Sequence, residues 1–167
     1  MKREAVDAYE LLMERWRQEA ESYPKWDKRF VALAAEVASW SKDTSTKVGC
    51  VIVGPNREIR TTGYNGLPRG ADDNNPARDV RPEKYKWYEH AERNAIYNAA
   101  RVGVPLEGCT IYLTWFPCMD CARAIVQSGI KTLVSEEPDW NHERFGEDFL
   151  KSAQLFSETG VTVRWVK

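Results

Sequence analysis

Residues 109–135 read CTIYLTWFPCMDCARAIVQSGIKTLVS, and the order of elements in this stretch sets the class of fold. Residues 109–115 are rich in β-branched and aromatic side chains, which is typical of a strand. Residues 118–128 predict a helix that ends at Gly129, and residues 131–135 predict a second strand. A strand, a helix and a strand in this order predict a crossover between parallel strands.

The alternation of helices and strands extends outward on both sides of this stretch. A helix over 143–158 and a strand over 161–166 follow it, and a helix over 89–101 precedes it. Further upstream, two β-rich runs joined by a Gly-Pro-Asn turn predict an antiparallel hairpin, over 47–53 and 58–64. The predicted fold is therefore α/β, with a mixed sheet of about five strands, the first two antiparallel, and helices on both faces.

Two further helices are predicted before the hairpin. Residues 5–21 predict a charged surface helix, and residues 27–41 predict a second helix with Asp27 as a candidate N-cap. We assign residues 1–167 to one domain with an N-terminal helical extension over 1–26. The polar stretch 65–86 predicts a long loop, which in a compact domain is usually functional or disordered.

The composition narrows the class of protein. The chain is 43% hydrophobic and 29% charged, which indicates a soluble globular protein. A formal net charge of −1 offers no global basic field for a nucleic-acid polymer. Since no secretory signal and no membrane-spanning run is recognisable, we expect a cytoplasmic protein that binds no membrane.

Two short motifs carry the chemistry, HAE at residues 90–92 and PCMDC at residues 117–121. Cys118 and Cys121 are three positions apart at a helix start, so they share one face and the helix end favours their thiolate forms. His90 adds a nitrogen ligand at another predicted helix start. Three protein ligands leave a fourth tetrahedral position open, which is typical of catalytic rather than structural zinc.

Glu92 is the candidate for moving protons at such a site. Two thiolates offset the charge of zinc, so a water there is less acidic than beside three histidines and needs a base nearby. Glu92 is only two positions from His90, and mid-helix neighbours at that spacing point in different directions. The two side chains can converge only if the site lies at the helix end.

Two other interpretations of these motifs are open. A structural zinc site would need a fourth ligand from His142, Cys50 or Cys109. We interpret His142 as a surface residue and the two cysteines, which lie in strand-like runs, as small buried hydrophobic residues. A C-x-x-C motif can also be a thioredoxin-type redox pair, although nothing else in the chain resembles that fold.

The paired H-x-E and P-C-x-x-C motifs are the signature of zinc-dependent nucleobase deaminases. The chain resembles the cytidine deaminase superfamily and, more closely, the deoxycytidylate (dCMP) deaminases. The stretches that carry the resemblance are KVGCVIV (47–53), GYNGLPRG (63–70), HAERNAI (90–96), FPCMDC (116–121) and AIVQSGIK (124–131). Glu89 and Arg93 stand where relatives often carry small or apolar residues.

The resemblance implies a three-layer α/β/α fold and hydrolysis of dCMP to dUMP with release of ammonia, feeding thymidylate synthesis. It assigns His90, Cys118 and Cys121 to one zinc ion per chain and Glu92 to proton transfer. It also implies a homo-oligomer, hexamer or dimer, with possible control by dCTP and dTTP.

Substrate contacts are predicted at five further positions. The resemblance places Asn65 against the sugar or phosphate of the nucleotide and the backbone of Ala91 against the pyrimidine edge. Phe116 and the adjoining Pro117 would line the base pocket, and Lys47 is a candidate partner for the phosphate. Asn65 could instead be a turn former, and Lys47 a solvated surface charge.

Several alternatives stay open. The pair of Asp72 and Asp73 could bind Mg²⁺ carried by a nucleotide effector, or could be a solvated loop. The same chemistry could act on a modified deoxycytidylate, cytidine, guanine or adenosine in tRNA. A zinc-stabilised module without catalysis would have no use for Glu92.

Overall fold

The computed structural model describes residues 10, 11, 13, 14, 16 and 25–166. Their strands form one sheet in the order β2-β1-β3-β4-β5. Its strands are β1 (Gly49–Val53), β2 (Ile59–Tyr64), β3 (Thr110–Leu113), β4 (Thr132–Ser135) and β5 (Thr162–Trp165). β1 pairs antiparallel with both β2 and β3, whereas β3, β4 and β5 are mutually parallel. The predicted mixed sheet, with an antiparallel hairpin at its start, is confirmed.

Helices cover both faces of this sheet. They are α1 (Lys25–Ser39), α3 (Ala91–Val102), α4 (Met119–Gln127) and α5 (Gly146–Thr159), whereas α2 (Lys84–Trp87) is a short helix in the segment between β2 and α3. Residues of α1 pack with one set of strand side chains, and residues of α3, α4 and α5 pack with the other set. The three-layer arrangement expected from the resemblance is therefore confirmed.

β1 is buried along its whole length because it lies inside the sheet with helices on both sides. Cys50 and Ile52 pack beneath α3, α4 and α5, whereas Val51 and Val53 pack beneath α1. A continuous apolar run suits a strand covered on both faces, which is why this segment lacks the alternation of a half-exposed strand.

A glycine in β2 sets the position of α3 on the sheet. A Cβ atom at Gly63 would lie 2.3 Å from the carbonyl oxygen of Ala91 and 2.4 Å from the amide nitrogen of Ala95. Only glycine therefore allows the first turns of α3 to rest directly on β2. This close approach brings the start of α3, with its HAE motif, over the sheet.

The helix predicted over 27–41 begins earlier than expected. α1 starts at Lys25, so Asp27 lies inside the helix and its assignment as the N-cap is wrong. The Asp27 carboxylate is buried and accepts hydrogen bonds from the Tyr112 hydroxyl at 2.9 Å and from Arg164 Nε at 2.8 Å. It ties α1 to β3 and β5.

The N-terminal segment contributes to the core through at least two side chains. The described residues between 10 and 16 are helical, and Met13 and Trp16 are buried. The Trp16 ring meets the Trp165 ring edge-on at 5.9 Å between centroids. The other residues of the helix predicted over 5–21 lie outside the described part of the chain. Within that described part, no helix combines the length and the apolar composition needed to traverse a bilayer.

Candidate active site

The two chemical motifs meet because two helices begin next to each other. His90 is the N-cap residue of α3 and Cys118 is the N-cap residue of α4, both with extended backbone dihedrals. Cys121 follows in the first turn of α4. The Nδ1 atom of His90 lies 3.4 Å from the sulfur of Cys118 and 3.4 Å from the sulfur of Cys121.

These three atoms fit the requirements of a zinc ion. Ligand atoms bound at tetrahedral angles to zinc at normal bond lengths would place nitrogen and sulfur about 3.6 Å apart. The three ligand atoms here all lie within 4.8 Å of one another. Among the described residues, no other histidine, cysteine or carboxylate side chain joins these three as a fourth ligand. The donor set is therefore that of an open site rather than a closed structural one.

The remaining cysteines do not belong to this group. Cys50 and Cys109 are free thiols buried in the core, as the interpretation of both as small hydrophobic residues requires. Burial raises the pKa of the Cys50 thiol well above its ordinary value, so this thiol stays protonated. Neither cysteine is grouped with the ligand atoms.

The electrostatics favour the thiolate form of Cys118. A hydrogen bond from the Cys121 thiol, together with the His90 ring, holds the pKa of Cys118 well below its usual range. The same hydrogen bond raises the pKa of Cys121, and the contact with Cys118 raises the pKa of His90. Thiolate is the form that binds zinc.

Glu92 lies in the first turn of α3 and is only 3% exposed. Its burial raises the pKa of the carboxyl group above its ordinary value, although the neighbouring charge of His90 opposes the shift. His90 precedes the helix and has an extended backbone, whereas Glu92 has a helical backbone. The divergence of side chains two positions apart within a helix therefore does not apply to this pair. This resolves how two residues so close in sequence reach one site.

A cavity of about 320 Å³ opens above this group. Its floor includes the ligand residues His90 and Cys118 together with Ala91 and Glu92. Aromatic side chains form much of its wall, namely Tyr85, Tyr88, Trp115, Phe116, Phe145 and Phe149. Ala91 and Phe116 thus line the cavity, where the resemblance placed them.

Asn65 also lines the cavity, but its side chain is occupied. Its Oδ1 atom accepts a hydrogen bond from the Val48 amide at 2.8 Å. Its Nδ2 atom donates to Asp43 Oδ2 at 2.9 Å and to the Thr46 carbonyl at 2.8 Å. Both donors of the amide are therefore used, and one remaining lone pair of Oδ1 is what Asn65 can offer a substrate.

Two predicted substrate contacts do not form the cavity wall. The Lys47 ammonium is exposed and donates to the Ser39 carbonyl at 3.3 Å, at the end of α1. Pro117 lies between cavity residues in sequence but is not among those that line it.

The motifs did not reveal several polar residues of the cavity. Arg81, Lys84, His142 and Arg144 all line it. His142, interpreted from the sequence as a surface histidine, is half-buried in the cavity wall, and its Nδ1 accepts hydrogen bonds from the Arg144 and Phe145 amides, each at 3.2 Å. The sequence signal for Arg81, His142 and Arg144 is their location in the two irregular segments that precede α3 and α5, and Lys84 begins the short helix α2 within the first of these segments.

A buried ion pair anchors one side of the cavity. Lys84 Nζ lies 2.6 Å from Asp43 Oδ1 and 2.5 Å from the Ser45 hydroxyl. Burial alone would raise the pKa of Asp43, but the Lys84 ammonium and the donors of Ser45 and Thr46 outweigh it and lower that pKa. An acid whose pKa is lowered by folding stabilises the folded state above its unfolded pKa of about 3.9 and loses this effect as the pH falls through the folded value.

We expect Asp43→Asn to lower the free energy of unfolding at pH 7 by about 3 kcal/mol, because Lys84 would stay buried without its counter-ion. The difference from the parent protein should begin to shrink below about pH 4, the unfolded pKa of an aspartate, and shrink further as the pH falls through the lowered pKa of folded Asp43. Urea denaturation at pH 7 and pH 3 measures both effects. Asp72→Asn, which keeps an acceptor for the Asn74 amide, is the matched control. An equal difference at both pH values would contradict the ion-pair account.

The alternative of a magnesium site at Asp72 and Asp73 finds no support. Asp73 pairs with Lys42 at 2.5 Å, and Asp72 accepts a hydrogen bond from the Asn74 amide within its own loop. Within the described ranges, neither carboxylate belongs to a group of three potential ligands.

Comparisons with known proteins agree with this geometry. Residues 24–137 match the family described as the cytidine and deoxycytidylate deaminase zinc-binding region. A protein of Aliivibrio fischeri named "uncharacterized deaminase in luxG 3'region" is 46% identical over 143 residues, which cover 85% of this chain and 94% of that protein. The deoxycytidylate deaminase of Mus musculus is 36% identical over 149 residues, which cover 86% of this chain and 81% of that enzyme.

A solved structure has the same fold. The crystal structure of the dCMP deaminase from the cyanophage S-TIM5 in apo form superposes with a TM-score of 0.68 at 25% sequence identity. The superposition covers 87% of this chain and all (100%) of the phage enzyme. Since the family match spans most of the chain and includes both motifs, this protein belongs to the cytidine and deoxycytidylate deaminase zinc-binding family.

Proposed function

We propose that this protein is a zinc-dependent hydrolase that converts dCMP to dUMP and ammonia. The observation that carries the proposal is the convergence of His90, Cys118 and Cys121 beside a cavity that is lined by His90, Cys118 and the buried residue Glu92. Relatives named deoxycytidylate deaminase, which match 86% of this chain, support the choice of substrate.

One zinc ion per chain would be held by the imidazole of His90 and the sulfurs of Cys118 and Cys121. When bound there, zinc supplies Lewis acidity that makes water a nucleophile near neutral pH. The aromatic wall of the cavity keeps bulk solvent away from the cytosine ring, and Phe116, which is 2% exposed, is fixed by edge-on contacts with Phe149 and Phe156. A rigid apolar wall of this kind holds a planar base in one orientation.

Glu92 would carry the protons of the reaction. Its carboxylate accepts a proton from the attacking water and passes it to a ring nitrogen of cytosine. It then takes the second proton from the hydroxyl group now bonded to the ring carbon and delivers it to the departing amine. A carboxyl group whose pKa is raised by burial is suited to both accepting and donating near neutral pH. The nitrogen leaves as ammonia, and the water oxygen becomes the carbonyl oxygen of uracil.

The phosphate end of the nucleotide would lie at the mouth of the cavity, against Arg81 and Arg144. The Arg144 guanidinium lies 4.1 Å from the centre of the Tyr85 ring, and that of Arg81 lies 5.9 Å from the same centre. In the described part of the chain, neither arginine has a carboxylate partner, whereas Lys84 is paired with Asp43. Two guanidinium groups that lie near the Tyr85 ring, neither paired with a carboxylate among the described residues, favour binding of an anion between them.

We expect Arg144→Met to raise the KM for dCMP about 10- to 100-fold, since a charged hydrogen bond to the phosphate is lost. Activity on deoxycytidine, which has no phosphate, should change little. Steady-state kinetics on both substrates gives the ratio of the two kcat/KM values, and Arg101→Met, in the exposed end of α3, serves as the control. Equal losses on both substrates would contradict the assignment of Arg144 to the phosphate.

A spectrophotometric screen tests the substrate. Purified protein is incubated with dCMP, CMP, deoxycytidine, cytidine, cytosine and guanine, with and without dCTP. The proposal predicts the highest kcat/KM for dCMP. Turnover of another compound with no reaction on dCMP would overturn the substrate and keep the chemistry, whereas no turnover of any compound by zinc-loaded protein would favour the non-catalytic module.

The predictions of a homo-oligomer, of dCTP and dTTP control, of a Mg²⁺-bound effector and of a cytoplasmic location stay predictions. Sedimentation of the zinc-loaded protein with and without each nucleotide tests the first three together.

A further inference from the structure

Arg93 connects the two helices that carry the proposed zinc ligands. It belongs to the first turn of α3, three positions after His90, and it faces α4. Its Nη1 atom lies 3.7 Å from the carboxylate of Asp120, which directly precedes Cys121 in the first turn of α4. Its Nη2 atom lies 2.5 Å from Oε1 of Glu89.

Glu89 continues the connection to the histidine ligand. The same Oε1 atom that pairs with Arg93 also accepts a hydrogen bond from the backbone amide of His90 at 3.2 Å. The backbone of Glu89 is fixed in turn, because its amide donates to the Gly66 carbonyl at 2.8 Å and its carbonyl accepts from the Gly66 amide at 3.0 Å. A polar chain thus runs from the cysteine-bearing helix, through Arg93 and Glu89, to the residue that presents the imidazole.

We infer that Arg93, through Glu89 and Asp120, is a positioning residue that holds the histidine and the two cysteines at zinc-binding distance. The inference rests on the zinc-dependent activity proposed above. Residues that orient metal ligands without touching the metal typically change metal affinity or activity about 10- to 100-fold when they are replaced. Arginine suits the task because its planar fork can pair with two carboxylates at once.

The exposed fractions of these side chains determine how much each ion pair contributes to the stability of the fold. The side chains of Arg93 and Glu89 are each 23% exposed, whereas that of Asp120 is 57% exposed. The exposed contact with Asp120 contributes little to folding, whereas the Arg93–Glu89 pair is largely buried, so its loss lowers stability. Replacing Arg93 should therefore loosen the distance between the two ligand-bearing helix ends in a protein that still folds but is less stable than the parent.

The chain offers a matched control within the same cluster. Asp120 also pairs with Arg123, one turn further along α4, so this second ion pair stays within a single helix. Arg123→Leu removes a positive charge from Asp120 without removing any contact between α3 and α4. Arg93→Leu removes the contact between the helices.

The test is the rate at which the zinc-loaded full chain releases zinc to an excess of the chelator 4-(2-pyridylazo)resorcinol, measured without substrate. We expect release about 10- to 100-fold faster for Arg93→Leu, an intermediate rate for Arg93→Lys, and a rate within about twofold of the parent for Arg123→Leu. Adding Asp120→Asn to Arg93→Leu should cause no further acceleration, because the two act through one contact.

Release from Arg93→Leu at the parental rate would overturn the inference, and so would equal acceleration by Arg93→Leu and Arg123→Leu. Circular dichroism of each variant checks that the fold is kept. Because the assay needs no nucleotide, its result is separate from the substrate screen, and a protein that binds zinc but leaves dCMP unchanged would refute the proposed function alone.

Discussion

Glu92→Gln should lower kcat for dCMP by about 10²- to 10⁴-fold, the usual contribution of general acid–base catalysis. Glutamine fills the same buried space at the cavity floor but cannot accept and return a proton. The zinc content should stay near one ion per chain, because the carboxyl group of Glu92 is not among the three grouped ligand atoms. Ammonia release and metal analysis on the same sample measure both quantities.

Glu147→Gln is the control for this experiment, since Glu147 is exposed and pairs with Lys151 on the outer face of α5. A Glu92→Gln protein that retained parental kcat with a full complement of zinc would remove Glu92 from the reaction. Loss of zinc together with activity would instead give Glu92 a role in binding the metal.

Replacing either cysteine should abolish both zinc binding and activity. In Cys118→Ser or Cys121→Ser, a sulfur atom at 3.4 Å from the His90 nitrogen is exchanged for a hydroxyl that stays protonated and binds zinc weakly. We expect zinc content to fall from about one ion per chain to below about a tenth, and deamination of dCMP to become undetectable.

Cys109→Ser is the matched control, because Cys109 is buried elsewhere and is not grouped with the ligand atoms. It should keep its zinc, although a hydroxyl in the core can lower stability. Full metal occupancy in either Cys118→Ser or Cys121→Ser would contradict the ligand assignment.

Much of the fold followed from local patterns in the chain. The β-branched run of β1 and the strand–helix–strand order around α4 depend on side-chain periodicity, which the sequence states directly. The exact helix starts were less accessible. The predicted start of α1 was two residues late because Asp27, a good N-cap by residue type, is instead used by Tyr112 and Arg164 in distant strands.

The metal-binding group was predictable because its residue types and spacing are restrictive, and the three side chains meet in the structure as expected. The walls of the cavity were not. Arg81 and Arg144 come from two different loops. The ring of His142 accepts hydrogen bonds from two backbone amides of its own loop. Lys47, in contrast, was predicted to contact the substrate but does not line the cavity, and its ammonium donates to a carbonyl at the end of α1. Such placements depend on tertiary contacts that no local pattern encodes.

The central claim is that zinc held by His90, Cys118 and Cys121 and a proton carrier at Glu92 together hydrolyse the amine of dCMP. The most direct test follows ammonia and dUMP from dCMP with one sample in three states, namely zinc-loaded, stripped by a chelator, and reloaded with one equivalent of zinc. We predict stoichiometric dUMP and ammonia in the first state, no product in the second and recovered activity in the third. Undiminished conversion of dCMP by the stripped protein, or none by the zinc-loaded protein, would contradict the account.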